Sequence, residues 1–372
     1  MATIALTANT SWYIYNFRRN TILQLIEIGY CVVVVSPTDE YTKKIIALGA
    51  RHIEIRMNPN GLNPFQDVKT LIEFYRIYKN TNIDVILNFT PKNNIYSTLA
   101  AFYSNKKVIN NIAGLGTVFT QKNLLSWVVK NLYRISQKKA DYIFFQNDDD
   151  RNVFLAANIV KFEKTMRVPG SGVDIKRFNF SFSETYSLEF LLIARMLYQK
   201  GITYYADAAR VLKKKYGDKV RFSLLGFLEP TNPSYVSPEQ MDAWIKEGII
   251  TYLGVSDSVE NEIEKADCIV LPSFYREGVP KSLLEAAAMG KPIITTDNVG
   301  CRDIVDDGVN GYLCKPQSLD ELVNAMEKVI LMSPKQRKDF SIASRKKVEK
   351  EFDEKIVINK YLDAINKVLK VE

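Results

Sequence analysis

The 372-residue chain has a single histidine, His52, and only four cysteines, Cys31, Cys268, Cys301 and Cys314, which lie far apart. Without a CxxC pair, neither a zinc site nor a disulfide framework is expected. No apolar stretch reaches the roughly 18–20 residues of a membrane span. Met1-Ala2-Thr3-Ile4-Ala5-Leu6 lacks the basic flank of a signal peptide, so a cytoplasmic protein is expected. The fingerprint GxGxxG is missing as well, which argues against NAD. Internal repeats and low-complexity tracts are absent.

What is present is globular composition, 47% hydrophobic and 25% charged, which rules out disorder. The length suits two domains of roughly 150–200 residues each. The net charge of +8 is unevenly spread. Residues 1–180 hold 23 Lys+Arg and 13 Asp+Glu, a net +10, whereas residues 181–372 come to −2. A basic first half suits nucleic acid, an anionic membrane surface or a phosphorylated substrate. Charge alone does not choose among the three.

Both halves alternate strand and helix. In the first, Thr3–Thr7 is a short apolar run and residues 16–27 carry apolar side chains at helical spacing. Cys31–Val35 is apolar on both faces, as buried parallel strands are. Further strands are expected at 51–56, 83–88, 107–111 and 141–145, with helices at 65–80, 92–104 and 121–139. The second half predicts strands at 188–194, 219–226, 249–253, 267–272 and 291–295, a helix at 201–215, and helices from 318 onward. This pattern implies an α/β protein with two Rossmann-like domains, their parallel sheets facing across a cleft. The hinge is expected within 174–187, giving domains at 1–178 and 179–350 and a terminal helix at 351–372.

Ligands of such sheets bind beyond the carboxyl ends of the strands, at helix N-termini. Two places there carry chemistry. After a strand ending at Leu271-Pro272, Pro280 suits the first turn of a helix and Gly290 its C-terminal end. Free N–H groups near residues 278–282 then form an anion site, flanked by Glu277 and Glu285. Carboxylates would repel the anion itself, so they read as acceptors for hydroxyls, a sugar at one and a ribose at the other. The plainer alternative is a helix cap and a solvated surface residue. The second place is Ile193-Ala-Arg195-Met-Leu-Tyr-Gln-Lys200-Gly201, where Arg195 by bidentate contact and Lys200 as a point charge would meet a phosphate pair. Two solvated loop cations is the alternative there. On one sheet edge, the two places together fit a nucleotide diphosphate.

Glu277 and Glu285, with seven residues between them in an EGxPxxxLEAxAxGxP frame, resemble the EX7E signature of glycosyltransferase family 4. Arg195, Lys200 and Gly201 match that family's Arg/Lys pair on the donor diphosphate, and Gly172-Val173-Asp174 with Phe178 resembles its domain junction. Asp39-Glu-Tyr-Thr-Lys43, Leu62-Asn-Pro-Phe65 and Gly114-Leu-Gly116 resemble the subgroup containing the N-acetylgalactosaminyltransferases of bacterial N-glycosylation, with relatives in O-antigen and capsule assembly. The resemblance implies a GT-B fold and α-retaining transfer of a hexose, N-acetylgalactosamine first, from a UDP-sugar to an undecaprenyl-diphosphate-linked saccharide. It implies no metal and no cofactor. By position, Arg195 and Lys200 neutralise the leaving diphosphate and Glu277 holds the donor sugar. Gly278, Val279, Pro280 and Lys281 meet sugar and phosphate, and Glu285 binds the ribose. Residues 350–370 resemble the terminal helix that crosses back to the first domain. Many family members place a histidine near the reacting sugar. Here His52 lies in an expected strand away from these motifs and reads as structural, leaving no evident general base. A front-face mechanism tolerates this, because the leaving phosphate oxygen can take the acceptor proton.

Asp148-Asp149-Asp150 resembles the metal-binding DxD of the other large glycosyltransferase fold, but an N-cap and a dipole partner for the next helix explain it. Cys301 reads as a buried free thiol. For the acceptor, Asn16, Arg18 and Arg19 are expected at the helix start after the first strand. Lys92 is expected in the equivalent place after Phe89, with Gly114 and Gly116 at a close backbone approach. Segment 121–139 mixes Leu124, Trp127, Val128 and Leu132 with Lys122, Lys130, Arg134, Lys138 and Lys139. That is the make-up of a helix in a membrane interface, unless its apolar face is buried within its own domain. With a lipid-linked acceptor, the basic half points to peripheral association with the anionic cytoplasmic face of the inner membrane. Two other readings are a UDP-sugar 2-epimerase on the same fold and a nucleic-acid-binding protein. The latter lacks a basic stripe interleaved with aromatics.

Overall fold

A strand apolar on both faces must be covered on both, and the helices between the strands do this. The computed structural model describes residues 1–58, 63–115, 119, 123–183, 185–230, 232 and 234–370. The chain divides into two units, Met1–Ser171 with Lys355 onward, and Gly172–Glu354.

The first unit has a parallel sheet of β1 (Thr3–Thr7), β2 (Cys31–Ser36), β3 (Arg51–Glu54), β4 (Val85–Asn88), β5 (Lys107–Ile112), β6 (Tyr142–Phe145) and β7 (Thr165–Arg167). Their order is β3-β2-β1-β4-β5-β6-β7, with Ala5 in register with Val33 on one side and Ile86 on the other. Helices α1 (Ser11–Glu27) and α2 (Thr42–Ala47) cover one face through Ile14, Ile22, Leu25 and Ile45. Helices α3 (Pro64–Lys79), α4 (Thr98–Tyr103), α5 (Leu124–Gln137) and α6 (Asp148–Ala156) cover the other through Phe74, Tyr78, Tyr133 and Phe154. A π-helical turn, Asn93–Ser97, leads into α4.

The second unit repeats the plan with β8 (Leu188–Ile193), β9 (Val220–Leu225), β10 (Thr251–Tyr252), β11 (Cys268–Leu271), β12 (Ile293–Thr296) and β13 (Gly311–Cys314), ordered β10-β9-β8-β11-β12-β13. Helices α7 (Ile202–Tyr216), α8 (Pro238–Lys246), α9 (Val259–Lys265), α10 (Lys281–Ala288), α11 (Leu319–Ile330) and α12 (Pro334–Glu351) belong to it. Helix α13 (Glu354–Leu369) returns to the first unit, where Val357, Tyr361 and Ile365 join the core under α1.

The structure departs from the sequence expectations at short or non-local features. Helix α1 begins at Ser11, not near residue 16, because Thr10 Oγ1 caps it by accepting from Tyr13 N at 3.0 Å. Asn16, Arg18 and Arg19 therefore lie inside the helix rather than at its start. The first unit ends at Ser171 rather than Phe178, since Val173 and Phe178 are buried in the core of the second. Val173 N donates to Phe352 O at 2.9 Å and Val173 O accepts from Glu354 N at 3.1 Å, so residues 351–354 also stay with the second unit. The short elements α2, β7 and β13 carry too few residues to show a period.

Candidate active site

In the second sheet, β9 lies on one side of β8 and β11 on the other. Connections leaving these neighbours diverge and open a crevice at their carboxyl ends. The connection after β8 carries Arg195 and Lys200; the one after β11 carries Glu277. Lys200 Nζ and Glu277 Oε1 form an ion pair across 77 residues of sequence. Their side chains are only 14% and 12% exposed. Ser273 Oγ donates to the same carboxylate oxygen at 2.9 Å. Gly201 makes the approach possible: at φ 77°, a Cβ there would stand 2.2 Å from Pro272 O.

Arg195 turns elsewhere. Its Nη1 is 3.0 Å from Glu229 Oε2, and its side chain is 44% exposed. The two cations thus share a connection but not a partner. No motif marked Glu229, which lies in the loop after β9.

Helix α10 starts at Lys281, with Pro280 as its extended N-cap (φ −62°, ψ 122°) rather than in its first turn. Gly278, Val279 and Pro280 are buried and Lys281 is half-buried. Behind them the chain passes so closely at Gly300 that a Cβ would lie 1.3 Å from Gly278 O. Asn298 Nδ2 donates to Tyr275 O at 2.8 Å, and Thr296 Oγ1 donates to Ser273 O. Thr296, Asn298 and Gly300 thereby brace the Glu277 loop against the end of β12. Sequence reasoning passed over them; the polar residues closing the apolar strand Ile293–Thr296 were the available signal.

Glu285 is half-buried in α10. Loss of water pushes its carboxyl up to about 7, opposed by Lys281 and Arg177 and reinforced by Glu260. Arg177 Nη2 in turn lies 2.9 Å from Glu260 Oε2.

The residues read as acceptor contacts in the first unit differ in exposure and in partner. Asn16 Nδ2 donates back to Trp12 O at 2.9 Å, and Arg19 is exposed near the Tyr15 ring. Arg18 is 1% exposed, its guanidinium carbon 4.4 Å from the centre of the Phe89 ring and 5.6 Å from that of Tyr361. Its Nε and Nη2, like Oδ1 of Asn94 and of Asn111, have no hydrogen-bond partner among the described residues. Lys92 is paired with Asp67 at 2.7 Å. Gly114 follows β5 at φ 114°, and Gly116 lies outside the described residues.

Two family models match the chain: glycosyl transferases group 1 over residues 175–347, and glycosyl transferase 4-like over residues 3–147. Over 378 aligned residues, 96% of each chain, it is 30% identical to the N,N'-diacetylbacillosaminyl-diphospho-undecaprenol alpha-1,3-N-acetylgalactosaminyltransferase of Campylobacter jejuni. This chain belongs to the group 1 glycosyl transferases. It is also 24% identical, over 72% of each chain, to the Escherichia coli UDP-Gal:alpha-D-GlcNAc-diphosphoundecaprenol alpha-1,3-galactosyltransferase. A solved glycosyltransferase from Rickettsia africae superposes with a TM-score of 0.79 at 19% identity, covering 100% of this chain and 99% of that one. Anabaena HepE, solved in complex with UDP and glucose, gives 0.80 at 15% identity, covering 99% and 100%. These likenesses establish the GT-B fold.

In this glycosyl transferase Asn147, not an aspartate, caps α6: its Oδ1 accepts from Asp150 N at 2.7 Å. Asp148 pairs with Arg167 at 3.2 Å and Asp150 is buried. His52 is half-buried beside Ser36, whose carbonyl lies 3.1 Å from Nε2, and burial lowers its pKa. Cys301 is buried and its thiol is pushed up to about 12, which keeps it protonated.

Proposed function

We propose that this glycosyl transferase moves N-acetylgalactosamine, or a closely similar hexose, from a UDP-sugar to a saccharide carried on undecaprenyl diphosphate. Transfer retains the α configuration and uses neither metal nor cofactor. The observation that carries the reading is the Lys200–Glu277 pair at the strand-order reversal, on the connection that ends at the N-terminus of α10.

Negative charge builds on UDP as the glycosidic bond breaks. Lys200 and Arg195 meet it, and fixed cations favour that state over the ground state. The first-turn N–H groups of α10 and the backbone from Gly278 to Lys281 receive phosphate and sugar. Glu277 accepts hydrogen bonds from donor-sugar hydroxyls while its contact with Lys200 orients the cation. Glu285 accepts from the ribose. The acceptor hydroxyl passes its proton to the departing phosphate oxygen on the same face, so no protein base is required.

The carrier is supported by both relatives, whose names give an undecaprenyl-diphosphate acceptor and an alpha-1,3 linkage, and N-acetylgalactosamine by the first of them, the second being a galactosyltransferase. Such an acceptor resides in a membrane, and the basic first half suits the anionic cytoplasmic face of the inner membrane. The test is a panel of UDP-sugars with short-chain lipid-diphosphate acceptors, the product linkage being read by NMR. An α-linked N-acetylgalactosamine product that forms equally well in EDTA is expected. Glu277→Ala should lower turnover by about a hundredfold or more while leaving the fold intact. Full activity in that variant, or an epimerised UDP-sugar formed without acceptor, would overturn the reading.

A further inference from the structure

The outer face of the α3–α4–α5 layer carries a pattern that the transfer chemistry does not use. Between Asp84 and Asp141 the chain holds eight cations and no carboxylate. Helix α3 packs beside α4, and α4 beside α5. Both α3 and α5 connect strands of one parallel sheet on the same face, so they run in the same direction with their N-termini toward its carboxyl edge.

Helix α3 turns Thr70, Phe74 and Tyr78 inward. It turns Phe65, Val68, Lys69, Ile72, Arg76 and Lys79 outward as a single stripe. Helix α5 turns Tyr133, Ser136 and Gln137 inward, and Leu124, Trp127, Val128, Arg134 and Ile135 outward, with Lys138 exposed just past its end. Phe65 is 82% exposed, Leu124 77% and Trp127 64%. Each stripe opens with bulky apolar residues and closes with cations. The acidic residues of α3 do not interrupt it: Asp67 is paired with Lys92 at 2.7 Å, and Glu73 accepts from Arg56 N at 3.2 Å.

We infer that this layer is one docking surface for an anionic lipid bilayer, engaged by α3 and α5 together. The inference rests on the membrane reading above and assigns its surface. Charge complementarity selects the occupant, because anionic headgroups meet the exposed Lys69, Arg76 and Lys79 of α3 and Arg134 of α5, while Asp67 and Glu73 of α3 are already engaged within the unit. The interfacial zone of a bilayer accommodates exposed aromatic and aliphatic side chains that water solvates poorly. A second copy of the same face would set cations against cations. The apolar ends lie toward the edge where β1 and β4 diverge, so docking presents that edge to the surface that carries a lipid diphosphate.

The test is co-flotation of the full chain with phosphatidylcholine vesicles, alone or with roughly one-third phosphatidylglycerol. Three variants are compared: Phe65→Ser with Val68→Ser, Leu124→Ser with Trp127→Ser, and Arg76→Glu with Lys79→Glu. All six positions are exposed, and matched melting temperatures establish that each variant folds. The wild type should float with the anionic vesicles and release in high salt, and each variant should weaken partitioning about tenfold or more. The surface assignment fails if any of the three variants floats like the wild type, or if neutral and anionic vesicles bind equally. It also fails if these variants split a dimer, or if random nucleic acid binds more tightly than vesicles. Turnover on a short-chain, water-soluble acceptor separates the two proposals. The variants should keep wild-type turnover there, and a wild type that fails to transfer overturns the proposed function while flotation still decides the surface.

Discussion

A carboxylate that has lost its water responds to pH in both stability and binding. Glu285, held near 7 against an ordinary 4.5, is protonated in the folded chain at pH values where the unfolded chain has released the proton. The folded state therefore loses stability as pH rises from 4.5 through 7. Glu285→Gln should remove that loss, gaining on the order of 2 kcal/mol at about pH 8 and nothing below about pH 4.5, as urea titrations at both pH values would reveal. The same change should raise KM for the UDP-sugar about tenfold or more, since an amide accepts fewer hydroxyl hydrogen bonds than a carboxylate. An unchanged donor KM would remove Glu285 from the ribose site. The Glu277/Glu285 spacing was legible from sequence alone; the raised proton affinity was not, because it depends on what other elements bring around α10.

At the scale of elements, the connection between β11 and α10 owes its shape to the connection after β12. Gly300 sits against Gly278 O, so Gly300→Ala must push the Glu277 loop aside, whereas Gly248, at φ 75°, has nothing within 4 Å of the added Cβ. Gly300→Ala should lower kcat/KM about a hundredfold or more. Gly248→Ala should cost only about 1–2 kcal/mol of backbone strain and leave kcat/KM unchanged. Equal kinetics for the two variants would show that the close approach does not shape the site. The strands and longer helices of both units were readable from apolar periodicity. The start of α1 is not legible in that periodicity, because its cap, Thr10, acts on backbone groups rather than on the apolar pattern.

Across the whole molecule, charge and cores divide unevenly between the units. The first keeps an apolar core on each sheet face, and α13 closes the one under α1. Tyr361 is 1% exposed and stacks edge-on against Phe89 and Phe144, while covering the Arg18 guanidinium. Tyr361→Ala should cost about 3–5 kcal/mol by opening a cavity and stripping a buried cation of its cover. Hydrogen exchange should then quicken across β1–β6 and α13 and leave β8–β12 unchanged. Equal quickening in both sets of strands would mean that the two cores do not fail separately.

Strand and helix alternation, the glutamate frame and the basic first half follow from the sequence by itself, since periodicity, turn residues and charge act within a few positions of one another. Only the tertiary structure decided which carboxylate each cation meets: Glu277 for Lys200, and Glu229 for Arg195. It also decided that Arg18 lies beneath aromatic rings rather than in solvent, and that residues 172–178 belong to the second unit. Such pairings depend on strand order and on where loops return. Residues 77 positions apart, as Lys200 and Glu277 are, become neighbours only when β8 and β11 lie side by side.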